Sequence, residues 1–110
     1  MPGYYESEDL ARFGDIGKDA PQLWEQFNKY YAPVFAEGAL SEREKSLIAL
    51  AVAHAIQCPY CIDAYTRDSL ERGSNLEQMT EAIHVAAAIR AGATLVHGVQ
   101  MRTVAEKLSM

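Results

Sequence analysis

Apolar positions along this chain recur at helical spacing in long stretches, with no persuasive run of the strict alternation that marks a half-buried strand. In residues 22–36, "QLWEQFNKYYAPVFA", Leu23, Trp24, Phe27, Tyr30, Tyr31, Val34 and Phe35 fall on one helix face. Such an aromatic stripe reads as core or subunit contact rather than as a cofactor box. Pro33 lacks an amide donor and is placed to kink the last turn. Residues 38–57, "GALSEREKSLIALAVAHAIQ", open with Ser41 and Glu44 in the S-x-x-E relation of a capping box, which marks a helix start. From Leu47 to Ile56 the pattern is apolar on nearly every side, so this helix is expected to be buried in its own fold or against another copy.

A further helix is predicted over residues 59–73, with Pro59 in its first turn and Gly73 as its stop. Ser74 and Glu77 repeat the capping-box spacing, and a helical pattern runs from there almost to the C-terminus. Gly92 and Gly98 are its expected points of break or close packing. The predicted architecture is all-α, about four to six helices with short connections. Helices this apolar on a chain of 110 residues predict a homo-oligomer.

The length fits one domain spanning residues 1–110. A net charge of -5 offers no basic footprint, so no nucleic acid is expected as a partner. The chain shows neither the basic start and apolar run of a secretory signal nor a consecutive apolar run of ~18 residues, so no membrane partner and a cytoplasmic location are expected. In a reducing compartment two cysteines are poor structural staples, and a C-x-x-C there points to redox catalysis or metal.

Both cysteines lie in Cys58-Pro59-Tyr60-Cys61, a spelling shared with glutaredoxin active sites. That fold needs a strand leading into its C-x-x-C helix, whereas a capped, Ala-rich helical run precedes Cys58 here. The dithiol chemistry survives the change of scaffold. Pro59 disfavours helical geometry at Cys58, so the chain breaks there and restarts with Cys58 near the cap and Cys61 in the first turn. A helix N-terminus stabilises a thiolate, and His54, four residues earlier at a helix C-terminus, supplies an imidazolium that would do the same. His54 also reads as a packed core histidine. His54, Cys58 and Cys61 with His84 or His97 make a soft four-ligand set, but no second C-x-x-C and no zinc-finger spacing supports it. No metal and no cofactor are expected.

The stretch "LSEREKSLIALAVAHAIQCPYCIDAYTRDSLERG" followed by "EAIHVAAAIRAGATLVHG" resembles the carboxymuconolactone decarboxylase superfamily, in particular its alkylhydroperoxidase D-like (AhpD-like) branch, over about residues 20–102. The opening "YYESEDLARFGDIGKDAPQLWEQF" is similar to a peroxidase-like subgroup associated with arsenosugar biosynthesis. The resemblance implies a compact helical AhpD-like fold, assembly as a trimer or hexamer, and a cysteine pair that cycles between dithiol and disulfide. It matches Cys61 to the attacking cysteine and Cys58 to the resolving one, while the helix-cap argument favours Cys58 as the more acidic thiol. Decarboxylating members of the superfamily typically lack the pair, which argues against that activity here. The family's proton relay places a glutamate and a histidine where this chain has Ser46 and Tyr65, and another family histidine at Tyr60. Substitutes are sought in His54, Glu42 and His84; Glu44 reads first as a cap, Asp63 as a solvated charge, and His97 as packing beside Gly98.

The expected function is a thiol-dependent oxidoreductase, with Cys58, Cys61, His54 and Tyr65 as its catalytic set and a hydroperoxide or a partner redox protein's disulfide as its substrate. The alternatives are a cofactor-free lyase of the decarboxylase type and a non-enzymatic helical module that binds metal through its cysteines.

Overall fold

The computed structural model describes residues 6–109. A 3-10 helix, Ser7–Gly17, leads into four α-helices: α1 (Pro21–Phe35), α2 (Glu42–Ala55), α3 (Pro59–Glu71) and α4 (Leu76–Leu108). Every regular element among the described residues is helical, as the apolar periodicity predicts.

The helix boundaries follow from local chemistry. Ser41 caps α2: its hydroxyl accepts the Glu44 amide at 3.0 Å while the Glu44 carboxylate accepts the Ser41 amide at 2.8 Å. These bonds to Ser41 hold the Glu44 carboxyl below its ordinary range. The start of α4 lies one residue beyond the expected box, because Asn75 and Gln78 form the reciprocal pair in place of Ser74 and Glu77. An asparagine side chain caps as well as a serine, so two overlapping signals compete and the later one wins.

Helices α2 and α3 both end in a Schellman turn. At the end of α3 the left-handed residue is Gly73, φ 90°, with Ser74 N–H bonded to the Ser69 carbonyl at 2.9 Å. At the end of α2 it is Gln57, φ 58°, with Cys58 N–H bonded to the Ala53 carbonyl at 3.0 Å. A side chain is tolerated there at some steric cost.

The buried centre lies where α2 meets α3 and the first turns of α4, and it contains Leu50, Ala53 and Met79 together with Ser46 and Ser69. The two serine hydroxyls bond one another at 3.1 Å, so neither is orphaned in a dry contact. Arg72 joins the far end of α3 to α2 through Glu42 at 3.1 Å. The Arg90 guanidinium of α4 donates to the Ala55 carbonyl at the end of α2.

Two expectations are corrected. Helix α4 neither breaks nor packs closely at Gly92 or Gly98, since nothing beyond the helix backbone lies within 4 Å of the position a Cβ would take at either glycine. His97 is exposed rather than packed beside Gly98. Helix α2 is apolar all round, yet within this chain only one side is covered: Leu50 and Ala53 are buried while Ile48, Val52 and Ile56 stay exposed. The same holds for α4, where Leu95, Val96, Val99 and Met101 are exposed. By length and composition α4 is also the one helix, among the described residues, long and apolar enough to cross a membrane.

Candidate functional site

The C-x-x-C pair sits at the junction of α2 and α3. Cys58 is the N-cap of α3 in extended conformation, Pro59 is the first helical residue, and Cys61 closes the first turn. The Cys58 sulfur accepts the Cys61 amide at 3.2 Å. The two cysteines form a disulfide with their Cα atoms 5.3 Å apart. The reverse turn at Gln57 ends one helix and the proline starts the next, so the pair lies at the N-terminus of α3.

Beside the pair opens a cleft of about 620 Å³. Its lining brings together Cys58, Tyr60, Cys61, Ala64 and Tyr65 of the α3 segment, Tyr31 of α1, and Leu10, Phe13 and Ile16 of the 3-10 helix. The aromatic stripe of α1 forms its flank. Phe13 meets Trp24 edge-on at 4.9 Å, and contacts continue through Phe27, Tyr31 and Phe35 to Tyr65, which stacks on Phe35 at 5.2 Å. The expectation that the stripe is a packing surface therefore holds for Trp24, Tyr31 and Phe35, whereas Leu23 and Tyr30 remain exposed.

The phenols of Tyr31 and Tyr65 are hydrogen-bonded to one another across the α1–α3 contact. Burial, with a smaller contribution from the nearby Asp68, raises the Tyr31 pKa. Tyr60 donates to Asp9 of the 3-10 helix at 3.5 Å.

Of the four expected site residues, Cys58, Cys61 and Tyr65 share the cleft. His54 does not line it. His54 borders a separate, open depression with Gln57, Pro59, Ile62 and Asp63. A carbonyl can only accept, so the 2.8 Å contact to the Leu50 carbonyl places a proton on its Nδ1. Ser46 is buried against Ser69, away from the cleft lining, and Glu42 is engaged by Arg72. His84 is exposed on α4, and Asp63 bonds Arg67 at 2.6 Å. Among the described residues no group of three or more His, Cys, Asp or Glu side chains is disposed to hold a metal ion.

Two features of the cleft escape sequence reasoning, Tyr31 as the partner of Tyr65 and the 3-10 helix as a wall. The first pairing spans 34 positions and leaves no local signal. The second had one: Leu10, Phe13 and Ile16 stand three apart, which is the repeat of a 3-10 helix rather than of an α-helix.

The match to known proteins agrees with this architecture. Residues 21–101 match the model of the carboxymuconolactone decarboxylase family. The chain belongs to that family. A relative from Paracoccus denitrificans, described as uncharacterized protein 4 in the cox locus, is 39% identical over 98 residues, covering 89% of this chain and 88% of its own. A crystal structure of a protein from Methanobacterium thermoautotrophicum superposes with a TM-score of 0.73 at 34% identity, over 76% of this chain and 94% of that one. The apo structure of a carboxymuconolactone decarboxylase family protein from Legionella pneumophila gives a TM-score of 0.70 at 26% identity, over 84% of each chain. The carboxymuconolactone decarboxylase family includes decarboxylases and peroxidase-like enzymes, and this member presents a cysteine pair on the lining of the aromatic cleft described above.

Proposed function

We propose that this protein is a thiol-dependent oxidoreductase of the peroxidase or disulfide-reductase kind, with Cys58 and Cys61 alternating between dithiol and disulfide. The observation that carries this reading is the placement of both sulfurs at the N-terminus of α3 on the lining of a cleft. With a hydroperoxide, a thiolate of the reduced pair attacks the outer peroxide oxygen. The O–O bond breaks, a sulfenic acid forms, and the departing alkoxide takes up a proton. The second cysteine then attacks the sulfenic sulfur, forming the disulfide and releasing hydroxide, which is protonated to water. Two thiols and one hydroperoxide thus give one disulfide, one alcohol and one water. A dithiol, from a partner redox protein or a small-molecule reductant, restores the pair by exchange.

Tyr65 lines the cleft with the cysteines and is the candidate donor of the alkoxide proton. His54 belongs to the proposal through its place near the end of α2, outside the cleft, rather than through direct transfer into it. No cofactor is invoked. The proposed working form is a homo-oligomer, trimer or hexamer, in which other copies cover the exposed apolar side of α2 and α4.

The decisive experiment compares peroxide-driven oxidation and disulfide exchange in the wild type and in a Cys58→Ser, Cys61→Ser double variant. Loss of both in the variant is expected. Equal reactivity would sink the proposal, and turnover of a small lactone acid that resists thiol alkylation would favour the lyase chemistry of the family instead.

A further inference from the structure

Two helix ends of opposite sign meet at Cys58. Its sulfur caps α3, whose N-terminal end carries the positive pole of the helix dipole. Its own amide bonds the Ala53 carbonyl at 3.0 Å and so reaches the C-terminal, negative end of α2. One pole favours a thiolate on this sulfur and the other opposes it. Whatever acts on the end of α2 therefore acts on Cys58.

The carbonyls at that end are claimed one by one. Ala53 takes the Cys58 amide, and His54 takes the Gln57 amide at 3.2 Å. The carbonyl of Ala55, the last residue of the helix, accepts from the Arg90 guanidinium of α4, 35 positions away. The turn that delivers Cys58 to the start of α3 is thus closed by two local amides and one distant cation. A cation at the C-terminal end of a helix offsets its negative pole.

The other charged and titratable groups around the pair are engaged elsewhere. On the cleft side Arg12 lies between the carboxylates of Asp9 and Asp15, and the phenols of Tyr31, Tyr60 and Tyr65 complete the titratable lining. On the other side Asp63 bonds Arg67, and His54 turns its Nδ1 to the Leu50 carbonyl. Among the described residues no carboxylate forms an ion pair with Arg90, so its charge is spent on the end of α2.

We infer that Arg90 is a positioning residue of the cysteine pair: its guanidinium fastens the last carbonyl of α2 and offsets the negative pole of that helix beside Cys58, so that the reduced sulfur ionises more readily. Arg90 does not line the cleft and acts only through the helix end. The inference deepens the thiol oxidoreductase reading and rests on it for the use made of that thiolate.

The test is the pH dependence of iodoacetamide alkylation at Cys58 in the reduced full-length protein, read by mass spectrometry. Wild type is compared with Arg90→Lys, Arg90→Gln and Arg90→Glu, substitutions that an exposed position can absorb. The Cys58 midpoint should rise by about half a unit in Arg90→Gln, which is about threefold less thiolate below the midpoint, and by about twice that in Arg90→Glu. Arg90→Lys, which keeps the charge, should stay near the wild type. His54 is present in every variant, so its contribution drops out of the comparison. Midpoints unmoved in both Arg90→Gln and Arg90→Glu would overturn the inference. So would a rise in Arg90→Lys equal to that in Arg90→Gln, which is what the loss of a merely structural bond gives. Alkylation needs no peroxide, so the two readings fail separately. If no peroxide or disulfide oxidises the wild-type pair, the oxidoreductase reading falls, while a Cys58 midpoint that follows the charge at position 90 still upholds the link between Arg90 and the sulfur.

Discussion

The Cys58 sulfur accepts the Cys61 amide at 3.2 Å, so one cysteine of the pair caps the helix that carries the other. In the reduced protein the same amide and the dipole of α3 stabilise a Cys58 thiolate. Cys58 should therefore titrate below the ~8.5 of a free thiol and below Cys61. Alkylation of the reduced native protein across pH, with each cysteine read separately by mass spectrometry, checks this. A lower midpoint at Cys61 would favour the order that the family resemblance implies.

The phenol pair gives a second expectation. Tyr65→Phe removes the candidate proton donor and should slow peroxide-driven oxidation about 100-fold, the scale of a positioned general acid. Tyr31→Phe keeps the ring packed against Phe35 and removes only the hydrogen bond, so it should cost less and act only through Tyr65. Stopped-flow rates of both variants and of the double variant decide this. Additive losses would contradict the idea that the two phenols work as one unit.

Gln57 occupies a left-handed position that Gly73 fills at the end of the next helix. Gln57→Gly should stabilise the protein by about 0.5–1 kcal/mol, the relief of the side-chain clash outweighing the greater freedom glycine gives the unfolded chain. Urea denaturation of the reduced protein measures it, and a loss of stability would mean that the Gln57 side chain contributes contacts of its own.

Ser46 and Ser69 are expected to behave as a couple. Either serine replaced by alanine leaves the other hydroxyl buried without its partner, at a cost of about 1–3 kcal/mol. Replacing both should cost less than the sum of the two single changes. A double-mutant cycle in denaturant reads the difference directly.

Oligomerisation supplies the last expectation. A radius of gyration of 18.8 Å, against ~13 Å for a 110-residue chain that covers its own apolar surface, reflects the reach of α4. Sedimentation equilibrium should give a trimer or hexamer of the 12.2 kDa chain. Val96→Glu with Val99→Glu, both on the exposed part of α4, should shift it towards the monomer. A monomeric wild type would require another explanation for that surface.

Much of this was readable before the fold was known, and the reasons are local. Capping at Ser41 and at Cys58-Pro59 depends on residues within three positions of each other, so the helix starts around the cysteines were legible. The continuity of α4 was not. A glycine inside a helix costs about 1 kcal/mol relative to alanine, and a helix of 33 residues rich in alanine absorbs two such costs without breaking. The 3-10 helix announces itself only in the three-residue spacing of Leu10, Phe13 and Ile16, a repeat too short to register as amphipathic α-helix or as strand. The phenol pair and the serine pair join residues 34 and 23 positions apart, and only the packing of α1 and α2 against α3 brings them together.

The serine pair has one more consequence. Where the family resemblance places an ionisable glutamate, this chain has a neutral hydroxyl facing another neutral hydroxyl in a contact closed to water. Such an interior carries the same charge in acid as in base, and it lies outside the cleft lining. The ionisable groups lining the cleft are the thiols, the phenols, and the rim carboxylates Asp9 and Asp15 beside Arg12. Under the proposed thiol chemistry, the rate of peroxide-driven oxidation is expected to rise as the medium becomes alkaline enough to free a thiolate and to fall where the phenols give up their protons.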